Sequence, residues 1–217
     1  MSALAKIVSW NLLRLVGASL DDVVTLVRHE RPHLLLMQEA TKPLDKLPDI
    51  LGGCYGRVLQ PGRIHGLAYW CREQIPAARV IDLQPGAMFR RVSQIIDLGP
   101  FSVANVHLSH GQVLNRRQLR RVAAALPYRA AVLGDYNLVG PTLLPGFRDV
   151  GPREHTHHAA DVLPLRLDRC LVRGLVCGAV NALHRSTSDH RPIVVRLGTA
   201  EMRLSQTFFP PPFQGEA

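Results

Sequence analysis

Lysine is scarce in this 217-residue chain, although basic residues outnumber acidic ones. Lys6, Lys42 and Lys46 are three of 26 basic residues, and arginines make up the rest; against 17 acidic residues they give a net charge of +9. A basic surface concentrates phosphates and steers their approach, so the charge favours a polyanionic partner such as nucleic acid. A bias this strong toward arginine can also arise from genome composition, so the charge is supporting evidence only.

Cysteine is sparse as well, and its spacing excludes common disulfide and metal motifs. The cysteines form no C-x-x-C pair and have no zinc-finger spacing. They lie in apolar, strand-like segments, so we expect buried free thiols, which suit a reducing compartment. The four are Cys54, Cys71, Cys170 and Cys177.

Long apolar runs are absent. No stretch approaches the ~18 uninterrupted apolar residues of a membrane span. Asn11 and Arg14 interrupt the apolar segment 7–16, which therefore does not read as a signal peptide. We expect a cytoplasmic, monomeric protein without a membrane span.

The chain also contains no glycine-rich phosphate loop, internal repeat, low-complexity block or convincing linker. Its apolar fraction of 47% excludes wholesale disorder, and its length suits one large α/β domain. We predict a single domain over residues 1–198 and a tail over residues 199–217. The Phe/Pro-rich segment 208–213 of this tail is either extended on the body or disordered.

The first part of the chain reads as strand, helix, strand. Residues 6–11 form an apolar strand, Ser19 caps a helix that ends before Pro32, and residues 34–37 form a second apolar strand. This succession implies a crossover between parallel strands. Asn11 and Glu39, which follow the two strands, should therefore converge where open α/β sheets place ligands.

The middle of the chain has a β pattern. Residues 41–53 read as an irregular connection with at most one helical turn. The following apolar segments have short, turn-like separators, so we predict antiparallel hairpins. The strands are predicted over 55–59, 66–71, 79–83, 89–98 and 101–108.

A helix is predicted over residues 112–126, after the strand that carries His107. Its polar face carries Arg116 and Arg117, and such arginine runs are usually solvated. Because the helix begins just after His107, either arginine is also a candidate to reach a phosphate bound near that histidine.

An apolar strand over residues 129–133 runs into Gly134-Asp135-Tyr136-Asn137. Asp135 and Asn137 should point to the same face at the end of the strand. A metal ion, a phosphate or an attacking water would each explain two short polar side chains there. An ordinary Asx turn explains them equally well.

Polar residues recur in the last third of the chain. His155, His157 and His158 suggest a metal site, but they have no second ligand group at helical or hairpin spacing, so a loop or substrate-facing role is favoured over zinc. Asp168 lies among apolar residues of the strand-like segment 163–172 and needs a partner. The pair Asp189-His190 precedes a final strand over 193–197.

These positions form a chemically consistent set. The acids and amides are hard oxygen ligands that suit Mg²⁺ or Mn²⁺, and the histidines can move protons near neutral pH. Such a set is suited to hydrolysing a phosphate ester. Its members are Asn11, Glu39, His107, Asp135, Asn137, Asp168, Asp189 and His190.

The order of these motifs resembles that of the endonuclease/exonuclease/phosphatase superfamily, over residues 6–197. The resemblance implies a four-layer α/β sandwich, with two mixed β-sheets packed face to face and helices on the outside. It rests on Trp10-Asn11, Gln38-Glu39, Asn105-Val106-His107-Leu108, Gly134-Asp135-Tyr136-Asn137, Arg166-Leu167-Asp168 and Ser188-Asp189-His190-Arg191-Pro192.

The resemblance also implies a ligand set and a catalytic pair. Glu39 would be the principal Mg²⁺ or Mn²⁺ ligand, with Asn11 and Asp189 beside it. His190 would act as the general base or polarise the phosphate, and Asp168 would hold its imidazole.

Further roles follow from the same resemblance. Asp135 would orient or activate the attacking water, and Asn137 would bind a phosphate oxygen or, with Asp135, help hold a second metal. His107 matches the histidine of the deoxyribonuclease and sphingomyelinase branches. Arg90 or Arg91 would match a phosphate-binding arginine, and the spacing does not choose between them.

We therefore predict a Mg²⁺-dependent phosphodiesterase that acts on nucleic acid. The loops after residues 60, 84 and 110 are short, and these loops carry substrate recognition in the superfamily. A phosphoesterase acting on a small molecule or a lipid headgroup is consequently an alternative. A non-catalytic basic adaptor with the same fold is a third.

Overall fold

The computed structural model describes residues 4–85, 90–159 and 162–202. Three α-helices are present in these ranges: α1 (Leu20–Glu30), α2 (Leu47–Leu51) and α3 (Gln112–Ala125). Short 3-10 turns cover Leu13–Leu15 and Lys42–Lys46. The strands are β1 (Ala5–Asn11), β2 (Leu34–Ala40), β3 (Cys54–Leu59), β4 (Gly66–Cys71), β5 (Arg79–Asp82), β6 (Val92–Asp97), β7 (Ser102–His107), β8 (Ala130–Asp135), β9 (Arg148–Asp149), β10 (His157–Ala159), β11 (Leu163–Leu165), β12 (Asp168–Arg173), β13 (Val176–Ala182) and β14 (Ile193–Gly198).

Twelve of these strands form two six-stranded sheets. The first has the order β13-β14-β1-β2-β4-β3 and the second the order β5-β6-β7-β8-β12-β9. Each sheet has one parallel pair among antiparallel neighbours, β1 with β2 and β7 with β8. Both sheets are therefore mixed, as predicted, and β10 and β11 form a separate small hairpin.

The central strands are buried on both faces, which is why they read as continuous apolar runs. In β1, Ile7 faces the core between the two sheets, whereas Val8 packs with α1 on the outer face. In β8, Leu133 faces the inter-sheet core and Val132 packs with α3 on the opposite outer face. Helix, sheet, sheet and helix thus form four layers, and the predicted sandwich is confirmed.

The predicted hairpins are confirmed, since β3 pairs with β4, β5 with β6, and β6 with β7, all antiparallel. The interpretation of residues 41–53 was wrong. This segment contains a 3-10 turn followed by α2, and each begins with a proline, Pro43 or Pro48, at one of its first two positions. Proline favours the first turn of a helix because its fixed φ suits the helix and its missing N–H is not needed there.

The predicted helices also form. Ser19 and Asp22 make a reciprocal capping box at the start of α1. The four cysteines are free thiols, buried at Cys71 and Cys170 and half-buried at Cys54 and Cys177. No helix in the described ranges is long and apolar enough to cross a membrane.

The predicted tail is described only at its start. Thr199 and Met202 are buried, so the chain remains packed on the body as far as residue 202. The Phe/Pro-rich segment 208–213 lies outside the described residues, as does Phe89, the predicted start of β6.

Candidate active site

Three predicted site residues lie in one row across the second sheet. His107 ends β7, Asp135 ends β8, and Asp168 begins β12. His107 and Asp168 are both register partners of Asp135, one across the parallel pair and the other across the antiparallel pair. The strand pairing itself therefore brings these side chains together.

The other predicted residues come from the first sheet. Asn11 ends β1, Glu39 lies near the end of β2, and Asp189-His190 precede β14, the antiparallel neighbour of β1. The Asn11 side-chain amide donates a 3.0 Å hydrogen bond to Asp135 Oδ2, and both residues are buried. The two sheets thus meet at the site through a buried polar contact.

Asp135 forms an Asx turn with one carboxylate oxygen and faces the other polar residues of the site with the second. Its Oδ1 accepts a hydrogen bond of 2.8 Å from the backbone N–H of Asn137, which is an Asx turn with Asn137 at φ 47°. Its Oδ2 faces Asn11, His107 and His190. One oxygen therefore shapes the turn and the other belongs to the site.

Glycine is required immediately before Asp135. Gly134 has φ +140°, and a Cβ there would lie 1.9 Å from the carbonyl oxygen of Val106 on β7. The close approach of the two parallel strands sets the position of Asp135 beside His107.

His190 is held on several sides. Its Nδ1 lies 2.8 Å from Asp168 Oδ2, its backbone N–H donates to Ser188 Oγ, and its carbonyl accepts from the Trp10 indole. Burial lowers the pKa of His190, but the carboxylates of Asp168, Asp135 and Asp189 outweigh burial and raise it to about 10. The imidazolium form of His190 is thus the stable one near neutral pH.

His107 behaves in the opposite way. Its Nε2 lies 3.5 Å from Asp135 Oδ2. Burial lowers its pKa to about 3, although Asp135 acts to raise it. Burial also raises the pKa of Asp135, but His190, His107 and hydrogen bonds from Asn137 and Asn11 lower it overall. Asp135 therefore stays ionised between a charged and a neutral histidine.

Glu39 lies at a break in the strand. The register between β2 and β4 shifts between Gln38 and Ala40, and Glu39 has a positive φ of 55°. Such a bulge re-aims a side chain, here toward the site. Arg14 Nε lies 3.4 Å from Glu39 Oε2, yet this buried oxygen has no hydrogen-bond partner among the described residues.

Arg14 reaches Glu39 from an unusual turn. Leu13, Arg14 and Leu15 all have positive φ, which costs roughly 1–2 kcal/mol per residue for side chains with a Cβ.

Burial raises the pKa of Glu39 and Arg14 lowers it, with a net increase. A buried carboxylate oxygen without a hydrogen bond suits a hard cation, so the residues present fit Mg²⁺ or Mn²⁺.

A basic cleft opens beside Glu39 and His107. Arg90 and Arg91 both line it; Arg90 is exposed, whereas Arg91 is half-buried and has its pKa lowered by burial despite the nearby Asp135 and Glu39. Arg116 and Arg117 do not line this cleft. The remaining lining residues are Arg14, Gln60, Arg63 and His65.

Sequence reasoning missed residues that position the catalytic candidates. Thr156 Oγ1 accepts hydrogen bonds from the backbone N–H groups of Leu167 and Asp168, and Ser188 Oγ donates to the carbonyl of Asn11. Ser188 belongs to the predicted motif over residues 188–192, but its contact with Asn11 could not be predicted from the sequence. His157 lies beside His190, with ring centroids 4.3 Å apart, because the chain folds back at β10.

A buried amide network beneath the site was also missed. Gln38 Nε2 donates to Asn105 Oδ1 at 2.8 Å and to Ser9 Oγ at 3.1 Å. Asn105 Nδ2 in turn donates to the Ala68 carbonyl and to Gln94 Oε1. These bonds join the two sheets, so Gln38 and Asn105 fix the distance across which Asn11 meets Asp135.

Comparisons with known proteins agree with this fold. No curated protein matches the chain. Among solved structures, an endonuclease/exonuclease/phosphatase family protein from Bacteroides thetaiotaomicron is 16% identical with a TM-score of 0.72. The match covers 90% of this chain and 97% of that protein's chain. A protein of the same description from Beutenbergia cavernae is 17% identical with a TM-score of 0.70. The match covers 91% of this chain and 72% of that protein's chain.

TDP2 from D. rerio, crystallised with a single-strand DNA product, is 17% identical with a TM-score of 0.69 and covers 90% of this chain and 99% of its own. At these identities the likeness concerns the fold. The model of the Endonuclease/Exonuclease/phosphatase family matches residues 8–190. Because this match spans most of the sequence, the chain belongs to the endonuclease/exonuclease/phosphatase family of phosphoester hydrolases.

Proposed function

We propose that the protein is a Mg²⁺- or Mn²⁺-dependent phosphodiesterase that acts on nucleic acid. The observation that carries the proposal is the position of Asp135, a buried carboxylate that faces Asn11, His107 and His190 where the two sheets meet. Around it lie a buried oxygen of Glu39 that has no hydrogen-bond partner among the described residues and a cleft with several arginines.

The metal ion would be held by Glu39, Asn11 and Asp189, whose oxygens are hard ligands. When bound, it supplies positive charge that neutralises the phosphate oxygens. Asn11 Oδ1 already accepts a hydrogen bond from the backbone N–H of Leu13, which orients its carbonyl oxygen. Asp135 and Asn137 are candidates for a second metal.

The protein's own residues supply the remaining chemistry. His190, kept charged by Asp168, donates from Nε2 to a phosphate oxygen and balances the charge that develops there. Asp135, kept ionised, accepts a hydrogen bond from the attacking water and orients it. His107, kept neutral, contacts the phosphate or the leaving group without adding charge.

Asn137 and the arginines position the phosphate. The Asn137 side-chain amide donates to the Leu108 carbonyl, which fixes its orientation. Arg91 carries its charge into the cleft near Asp135 and Glu39, with Arg90 at a more exposed position. Arg116 and Arg117 would act only on a longer substrate that extends beyond the cleft.

Nucleic acid is favoured over other phosphodiesters by charge. The net charge of +9 and the arginines of the cleft suit a polyanion. The TDP2 structure with a single-strand DNA product shares this fold, which supports the same class of substrate.

A lipid-headgroup phosphoester is the second candidate. Val16 and Ile64 are 81% and 82% exposed, and each lies within two residues of a cleft arginine, Arg14 or Arg63. Exposed apolar tips beside a basic cleft are typical of proteins that contact lipid surfaces.

The test is a hydrolysis panel with Mg²⁺, Mn²⁺ or chelator. The substrates are plasmid DNA, single-stranded DNA, single-stranded RNA, a phosphodiester lipid in vesicles, bis-p-nitrophenyl phosphate and p-nitrophenyl phosphate. We expect metal-dependent cleavage of nucleic acid and of the diester, with little action on the monoester.

Glu39→Ala and His190→Ala should abolish this activity, whereas the exposed controls Glu73→Ala and His184→Ala should retain it. Cleavage of the lipid alone would transfer the assignment to the second candidate. Inactivity on every phosphodiester with metal present would refute the enzymatic proposal and favour an adaptor.

A further inference from the structure

A second group of ligand atoms lies at the outer edge of the site. His157 Nδ1 is 3.7 Å from Asp189 Oδ2, and the rings of His157 and His190 have centroids 4.3 Å apart. One ligand atom from each of the three residues lies within 4.8 Å of the other two. Two imidazoles and a carboxylate thus converge where Mg²⁺ chemistry alone needs only oxygen ligands.

The backbone holds these residues in place. Arg191 donates its N–H to the Thr156 carbonyl at 2.7 Å, and His158 donates its N–H to the Asp189 carbonyl at 3.0 Å. His157 and His190 are directly opposite in this short antiparallel bridge. The spacing of the two rings therefore follows from strand pairing and does not depend on flexible loops.

One nitrogen atom of each histidine is placed to bind a ligand. His157 Nδ1 is buried and has no hydrogen-bond partner among the described residues. His190, which is 4% exposed, has its Nδ1 engaged by Asp168, so Nε2 is the nitrogen left for a ligand, and a metal ion that binds there displaces the Nε2 proton of the imidazolium to water. A carboxylate on the far nitrogen of a histidine fixes the ring and strengthens it as a metal ligand.

We propose that His157, Asp189 and His190 form a binding site for a transition-metal ion of the Zn²⁺ type. Imidazole nitrogens suit Zn²⁺ and Co²⁺, whereas Mg²⁺ prefers oxygen. Tetrahedral Zn²⁺ with bonds of about 2.1 Å separates its ligand atoms by roughly 3.4 Å, so the His157–Asp189 pair needs little movement. Three protein ligands leave one position for water.

This site has a consequence that rests on the proposed function. In the proposed reaction Asp189 binds Mg²⁺ and His190 Nε2 contacts the phosphate. Zn²⁺ bound here occupies both groups, so it inhibits the Mg²⁺-dependent reaction. Thus the residue that sets inhibition is His157, which the proposed hydrolysis does not use.

The test measures metal binding directly. Co²⁺ is titrated into metal-free full-length protein and followed by visible absorption, since four-coordinate Co²⁺ absorbs far more strongly than six-coordinate Co²⁺; Zn²⁺ then competes for the site. We expect one intense Co²⁺ site that Zn²⁺ displaces and excess Mg²⁺ does not. His157→Ala should weaken Zn²⁺ binding by about 100-fold, the size expected from losing a ligand or its close support.

Two variants and one fold measurement make the result decisive. His155→Ala is the matched control, because His155 is exposed, lies two residues away and packs on His158 rather than on His190. His157→Gln is a second loss variant, and circular dichroism establishes that both His157 variants are folded. Equal Zn²⁺ affinity in folded His157→Ala and His155→Ala, or a weakly absorbing Co²⁺ site that Mg²⁺ displaces, would overturn the proposal.

Activity separates this inference from the proposed function. Zn²⁺ inhibition is expressed relative to each variant's own activity with Mg²⁺, and we expect it in wild type and His155→Ala but not in His157→Ala. Hydrolysis without a Zn²⁺ site contradicts this inference alone. An intense Co²⁺ site in a protein inactive on every phosphodiester contradicts the proposed function alone.

Discussion

His190 and His107 flank the same carboxylate but carry different charges. Their Nε2 atoms lie 3.8 and 3.5 Å from Asp135 Oδ2, and both side chains are almost fully buried. Yet the pKa is raised to about 10 at His190 and lowered to about 3 at His107. Burial lowers the pKa of both, so burial does not distinguish them.

The difference lies in the second partner. His190 has Asp168 at 2.8 Å on its Nδ1, whereas His107 Nδ1 is buried without a hydrogen-bond partner among the described residues. A second carboxylate therefore converts a buried histidine from a neutral group into a cation. An aspartate behind only one of them gives the candidate site one charged and one neutral histidine.

The largest effect is expected from removing the charged histidine. His190→Gln keeps a hydrogen-bond donor but loses the cation, so kcat should fall by about 10²–10⁴-fold, the range for a group that acts in the transition state. Steady-state kinetics on a minimal diester measures this loss. Retention of more than a tenth of wild-type kcat would show that the charge is not used.

A smaller effect is expected from removing the aspartate behind His190. Asp168→Asn should lower the pKa of His190 and reduce kcat by about 10–100-fold, as is typical of a group that orients a catalytic or ligating histidine. Asp82→Asn, on the exposed edge strand β5, is the matched control. Unchanged pKa of His190 in folded Asp168→Asn would contradict the role given to Asp168.

The neutral histidine should tolerate a neutral replacement. His107→Gln retains one donor and one acceptor, so the loss should be that of one imperfect hydrogen bond, about 3–10-fold in kcat. Comparison with His190→Gln in the same assay measures the asymmetry directly. Equal losses in the two glutamine variants would mean that the two histidines share one role.

The two pKa shifts also make the stability of the metal-free protein depend on pH. His107 has a folded pKa of about 3 against 6.5, so the unfolded state takes up its proton first and stability falls as the pH drops from 6.5. His190 has a folded pKa of about 10 against 6.5, so its contribution is complete below 6.5 and is lost as the pH rises toward 10.

Urea unfolding across this range checks both signs. His107→Gln should flatten the acid side of the profile relative to wild type, and His190→Gln should flatten the alkaline side. If either variant flattens the opposite side, the assigned direction of that pKa shift is wrong.

Much of the fold was readable from the sequence because central strands and hairpins leave strong local patterns. The alternation of turn residues with apolar runs predicted β3 to β7, and the crossover predicted that Asn11 and Glu39 reach one edge. Residues 41–53 were misread as an irregular connection, although Pro43 and Pro48 stand in first turns, where proline favours a helix.

The sequence predicted which residues converge at the candidate site, but it did not predict their long-range contacts. The motifs named Asp135, Asp168 and His190, yet nothing local indicates that His157 lies beside His190 or that Gln38 reaches Asn105. These contacts join segments far apart in the chain. The metal, the substrate, the cytoplasmic location and the monomeric state stay predictions.

An NMR titration of both imidazole rings in metal-free protein tests whether Asp168 makes His190 the charged histidine while His107 stays neutral. We expect His190 to stay protonated well above pH 7 and His107 to stay neutral well below pH 6. Titration of both rings near 6.5, the ordinary value for histidine, would contradict it.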